Sequence, residues 1–221
     1  MKNISPTVKS AVAFLATLAC LWSVVPAQVA TLKDWTNVYH GNLKTQQDII
    51  YTVPAGSNSN RLLVVAVAST VSSSASISVT ITYGGKTFTL ANGDMDLTLM
   101  RQHSALYYLD ETFIEQASGE TLSVTVAPTI PTKKLINTDV WAAVFDQVNQ
   151  TAPLTDSKNY NSINTKLTSF SFTTPLSIDA YNQSVEVVSA LNTSSKVIPV
   201  ITYAPEWNMM SDTTFPLTDS T

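Results

Sequence analysis

The chain has 221 residues, a formal net charge of −4 and only 13% charged residues. There is room for one domain of ordinary size and no long basic run, so the sequence offers no phosphate-binding face and excludes a nucleic-acid partner on electrostatic grounds. The single cysteine, Cys20, lies near the N-terminus, which leaves the remainder without a disulfide or a thiolate site.

Residues 1–27 read as a secretory signal peptide. Lys2 and Lys9 give a positive start, and an apolar run follows over 11–25. Val25-Pro26-Ala27 presents residues that a signal peptidase accepts, with cleavage expected after Ala27 and, as second choice, after Ala30. The run is short for a membrane span, and no second such run follows. The expected location is therefore extracellular or on the cell surface. Leu18-Ala19-Cys20 ends in a cysteine as a lipidation signal does, but the apolar run continues past it through Leu21-Trp22.

Residues 28–47 read as an N-terminal lead-in and 48–203 as the folded domain. Residues 61–68 are apolar on both faces, through Leu62, Leu63, Val64, Val65 and Val67, and 140–145 behave alike. Both patterns suit central strands covered on each side. Ile77, Val79, Ile81 and Tyr83 alternate with hydroxyl residues, and Gly84-Gly85 then closes a tight hairpin onto 86–90. Residues 97–109 form a longer candidate strand. Residues 112–118 suit a single helical turn. Leu122, Val124 and Val126 alternate with Ser123 and Thr125, and Phe170 and Phe172 with Ser169 and Ser171. Residues 185–191 and 197–203 complete the set. Strands at this spacing predict an all-β fold, an antiparallel two-sheet β-sandwich of Ig-like or jelly-roll-like form. Residues 204–221 read as an irregular tail, possessing no closing apolar strand, as if a further strand were only begun. The chain is therefore expected to be the front part of a longer protein.

Arg61-Leu62-Leu63-Val64-Val65-Ala66-Val67 and Ile81-Thr82-Tyr83-Gly84-Gly85-Lys86-Thr87-Phe88-Thr89 carry a resemblance, joined by Ala105-Leu106-Tyr107-Tyr108-Leu109, by residues 119–126 and by Phe145-Asp146-Gln147-Val148-Asn149-Gln150-Thr151-Ala152-Pro153-Leu154. Over about 48–203 the chain resembles a β-sandwich module of large secreted or surface bacterial proteins. Such modules are adhesin-like and often accompany a C-terminal sorting domain. The resemblance implies a structural or adhesive role and no catalytic residues. It also implies partners among neighbouring modules of a longer chain, surface glycans or proteins.

Chemistry-bearing residues are sparse. His40 and His103 are the only histidines. A Ser–His–Asp arrangement of Ser104, His103 and Asp110 fails locally, because neighbours on a strand face opposite ways, and no Gly-x-Ser-x-Gly elbow is present. Asn92-Gly93-Asp94-Met95-Asp96 is the best acidic cluster, with Asp94 and Asp96 as candidate calcium ligands, although the EF-hand spacing is absent. Asp110, Glu111, Glu115 and Glu120 crowd one region, while Asp139, Asp146, Asp179 and Glu186 are scattered, so nothing pairs two acids for glycoside hydrolysis. Lys133-Lys134 reads as a solvated turn. Trp141, set among apolar neighbours, reads as core. Trp35, Trp207, Tyr107 and Tyr108 are candidate platforms for stacking on sugar rings, and the two tyrosines fall on opposite faces of their strand. The sequence thus reads as a non-enzymatic structural or adhesive module without a cofactor, calcium aside. A carbohydrate-binding module is the first alternative and a secreted hydrolase the second.

Overall fold

A computed structural model describes residues 30–41, 46–56, 60–91 and 100–154. The elements are β1 (Thr31–Gly41), β2 (Gln46–Ile50), β3 (Leu62–Ala75), β4 (Ile77–Tyr83), β5 (Lys86–Thr87), β6 (Thr89–Leu90), β7 (Met100–Asp110), α1 (Glu111–Glu115), β8 (Thr121–Pro128) and β9 (Leu135–Asp146). One sheet runs β1-β9-β3-β7-β6 and the other β2-β8-β4-β5, and the pairings are antiparallel. The fold is an all-β two-sheet sandwich.

Period-two patterning builds the core. On β4, Ile77, Ile81 and Tyr83 point inward while Ser78 and Thr80 face solvent. They meet Leu122, Val124 and Val126 of β8 within their own sheet. Across the interior they meet Leu63, Val65 and Val67 of β3, Tyr107 and Leu109 of β7, and Val140, Ala142 and Val144 of β9. Full burial of a Leu or Val side chain contributes about 2 kcal/mol relative to exposure, so this interleaving is the main source of stability.

Turn chemistry fixes the register between β4 and β5. Gly84 and Gly85 both adopt positive φ, 49° and 81°, as a primed two-residue hairpin turn demands. Tyr83 is thereby set opposite Lys86. At the same end of the sandwich, Asp110 ends β7 and caps α1, its Oδ1 accepting from the Phe113 N–H at 3.2 Å. The helical turn expected over 112–118 is α1.

Residues 31–41, expected as a lead-in, are the edge strand β1 and pair along most of β9. β1 carries register shifts between Leu32 and Asp34 and between Asn37 and Tyr39. Each shift interrupts the alternation that a strand pattern needs, which hides β1 from periodicity. The leader, the stretches 155–203 and the tail 204–221 lie outside the described residues. Among the described residues, no helix is long and apolar enough to cross a membrane.

Candidate functional site

Antiparallel register places the residues of the five-stranded sheet in transverse rows. Trp35, Ala143, Val64, Tyr108 and Thr89 form one row from β1 to β6. Trp35 and Tyr108 pack against the cluster of Leu62, Val64, Ala143, Phe145 and Val148 on the outer face, the face turned away from the second sheet. Tyr107 points the other way and is only 8% exposed within the core. Its burial pushes the phenol pKa up to about 12. Tyr107 therefore offers no stacking face, because strand alternation commits it to the interior. Trp141 stands on the outer face beside Asn37 and Ala66, half-buried, where the sequence suggested core. Trp207, Asp94 and Asp96 lie outside the described residues.

The next row holds an arrangement that the sequence did not reveal. His40 on β1 lies opposite Asp139 on β9, and His40 Nδ1 is 2.8 Å from Asp139 Oδ1. Asp139 is 4% exposed, and burial raises its pKa against the opposing influence of His40. Ala68 and then Ser104 continue this row. Ser104 is thus two strand spacings from Asp139, roughly 10 Å, and out of hydrogen-bonding reach. His103 and Asp110 lie on the same strand, about 23 Å apart along it. A triad of Ser104, His103 and Asp110 is therefore not assembled, and Asp110 serves as the cap of α1.

A second polar group closes one end of the sandwich. Arg61 Nη2 and Nε donate to Glu111, and the Arg61 backbone N–H donates to Glu111 Oε2. Arg61 Nη1 reaches the Pro54 carbonyl at 3.2 Å. The Glu111 side chain holds the guanidinium pKa above its ordinary value. Gln150 locks the same corner, accepting from the Glu111 N–H at 2.9 Å and donating to the carbonyls of Arg61 and Val148. Lys33 Nζ lies 3.6 Å from the fully buried Asp146, whose Oδ1 also accepts from the Gln147 N–H. Beside this corner an open depression of about 410 Å³ is lined by Asn60, Gln147, Val148, Asn149, Gln150 and Thr151. Two of its lining side chains are engaged: Asn149 Oδ1 accepts from the Thr151 N–H at 3.0 Å, and both ends of the Gln150 amide are used as above. This corner clamps the start of β3 to α1 and to the turn after β9.

The outer face of the four-stranded sheet is a lattice of hydroxyls. Gln46, Thr125 and Thr80 form one row, and Asp48, Ser123, Thr82 and Thr87 the next. Rows of this kind repeat at about 7 Å along the strands and about 4.8 Å across them. Ser78, Thr80 and Thr87 are exposed, and Thr82, Ser123 and Thr125 half-buried. The charge in these rows, Asp48, accepts from Ser123 Oγ and Gln46 Nε2, which hold its pKa below the usual carboxylate value. Ile50, 76% exposed, stands at the end of the edge strand β2. Among the described residues, no three His, Cys, Asp or Glu side chains gather as a metal site would need.

No protein-family model matches the chain, and no curated protein or solved structure matches it either.

Proposed function

We propose that this chain is a non-catalytic structural or adhesive module of a secreted or cell-surface protein, and that its contact surface is the hydroxyl face of the four-stranded sheet. The observation that carries this reading is the hydroxyl lattice on β8 and β4, extended by Thr87 on β5. These hydroxyls are fixed to hydrogen-bonded backbone, so little ordering entropy opposes a broad contact through them. Each hydroxyl both donates and accepts, which suits uncharged polar partners such as glycans or the polar surfaces of neighbouring modules. Elsewhere three charged pairs serve the fold: Arg61 clamps Glu111, Lys33 faces Asp146, and His40 joins β1 to β9 through Asp139. The leader-like N-terminus and the resemblance to surface modules agree with this role.

The test is retention of the immobilised mature chain on panels of glycans and extracellular proteins. At least one class should be held, and the paired change Thr80→Lys and Thr125→Lys should abolish it by placing charge in the centre of the lattice. Absence of retention, or binding indifferent to both lysines, would defeat the proposal, as would release of product from a polysaccharide or ester substrate.

A second reading, a carbohydrate-binding module, draws on Trp35 and Tyr108, which share one row of the outer face of the five-stranded sheet. In that case saturable changes in tryptophan fluorescence should follow addition of oligosaccharide, and Trp35→Ala should remove them while the two lysine substitutions have no effect.

A further inference from the structure

The turn after β9 carries Asn149-Gln150-Thr151, an Asn-x-Thr triplet whose middle residue is not proline. In chains exported across a membrane this triplet is the acceptor signal for N-linked glycosylation, and it serves only where the asparagine stands at the surface. Among the described residues the triplet occurs here alone. Such triplets arise by chance in a chain rich in Asn, Ser and Thr, so exposure and geometry decide whether this one is usable.

Asn149 and Thr151 are exposed, and Gln150 between them is half-buried. The Gln150 amide accepts from the Glu111 N–H at 2.9 Å and donates to the carbonyls of Arg61 and Val148, both at 3.1 Å. With the middle residue tied to the sandwich, the residues on either side of it are presented to solvent. Asn149 Oδ1 accepts from the Thr151 N–H at 3.0 Å and from the Ala152 N–H at 3.4 Å. Both partners are donors, so the amide oxygen faces the turn and Nδ2 faces away from it. Among the described residues Nδ2 has no hydrogen-bond partner. Asn149 also lines the open depression of about 410 Å³, so a group attached at Nδ2 enters open space and displaces no packed side chain.

We propose that Asn149 is an N-glycosylation site, and that its sugar stands on the turn after β9, clear of the hydroxyl face of the other sheet. The donor is an oligosaccharide linked to a polyprenyl diphosphate. Nδ2 forms a bond to the anomeric carbon of the first sugar. The bond from that carbon to the diphosphate oxygen breaks, the electron pair leaves with the diphosphate, and Nδ2 gives up one proton to a base of the transferase. Oδ1 is untouched, so both hydrogen bonds of the turn persist in the glycosylated chain. This inference rests on the reading of the chain as exported.

Glycopeptide mass spectrometry on the full chain, isolated from its own cells, tests it. The peptide containing Asn149 should carry an oligosaccharide on that residue. Asn182-Gln183-Ser184 and Asn192-Thr193-Ser194 repeat the triplet outside the described residues, so the spectra must resolve the site. Thr151→Ala should abolish the sugar at Asn149, and Thr151→Ser should keep it. Thr151 is exposed, so both variants should keep the parent melting temperature. An unmodified Asn149 in a chain whose leader has been removed would overturn the proposal and leave export standing. An unmodified Asn149 in a chain that retains its leader would overturn both. A sugar that persists in Thr151→Ala, or one attached to the Thr151 hydroxyl, would also overturn it.

Discussion

Arg61 and Glu111 are joined twice, once through the guanidinium and once through the Arg61 backbone N–H, so a single carboxylate anchors both the start of β3 and the side chain next to it. Glu111 is also the first residue of α1, and its own N–H is taken by Gln150. Removing the carboxylate would leave a largely buried guanidinium and a backbone donor unpaired. Glu111→Ala should therefore cost about 3 kcal/mol of unfolding free energy, read by urea denaturation. The double change Arg61→Met and Glu111→Leu should cost markedly less, since it leaves no orphaned charge. Equal losses in the single and double variants would show that packing of α1, and not the ion pair, dominates this corner.

His40 and Asp139 give the sandwich an acid-side pH dependence. Burial raises the Asp139 pKa above its ordinary 3.8, so the folded state holds that proton to higher pH than the unfolded chain does. The folded state then binds more protons than the unfolded state in the window between the two values, and the contribution of Asp139 to stability falls as pH rises through that window. His40 opposes the shift. In His40→Ala the Asp139 pKa should climb further, and the fall in melting temperature above pH 4 should become steeper and extend to higher pH. Asp139→Asn should abolish this component. Melting curves in buffers from pH 3.5 to 7 decide the matter, and identical slopes for the parent and His40→Ala chains would refute the coupling.

The contrast between β4 and β1 shows which parts of this architecture local sequence can disclose. On β4 the alternation of Ile77, Val79, Ile81 and Tyr83 with hydroxyls, followed by two glycines, specifies strand, face and turn together, and the structure has all three. The two-faced apolar runs of β3 and β9 likewise mark the centre of a sheet. β1 breaks step twice in eleven residues, so no single face can be read along it. The pairing of His40 with Asp139 was illegible for a different reason: the two residues are 99 positions apart and meet only once β1 has docked on β9. The hydroxyl faces were legible residue by residue, but their merger into one lattice depends on the order β2-β8-β4-β5, which periodicity does not encode.

Ser69 on β3 and Thr138 on β9 are partners in register, and the hydroxyls of both are buried without a hydrogen bond. A buried unpaired hydroxyl costs roughly 1–3 kcal/mol. Thr138→Val preserves the shape and removes one of them, and should raise unfolding free energy by about 1 kcal/mol, as should Ser69→Ala less the small cavity it leaves. If Thr138→Val instead weakens the fold by more than 1 kcal/mol, the two hydroxyls share an ordered water and act as a cross-strand tie.

Gly84 and Gly85 both have positive φ, but their surroundings differ, and the difference is measurable. A Cβ on Gly84 would stand 2.6 Å from the Gly119 carbonyl oxygen and 2.8 Å from the Ser118 backbone nitrogen, whereas on Gly85 the closest neighbour is Ser118 Oγ at 3.9 Å. The Gly84 carbonyl also accepts from both the N–H and the Oγ of Ser118, so the loop before β8 is built directly against the hairpin. Gly85→Ala meets only the backbone penalty of a positive φ, about 1 kcal/mol. Gly84→Ala adds backbone collisions that neither loop can relieve without giving up those hydrogen bonds, and should cost about 3 kcal/mol in total. Denaturant midpoints for the two variants separate these effects. Equal costs would mean that the 118–119 loop moves aside freely, and that the β4–β5 hairpin folds independently of the strand β8 beside it.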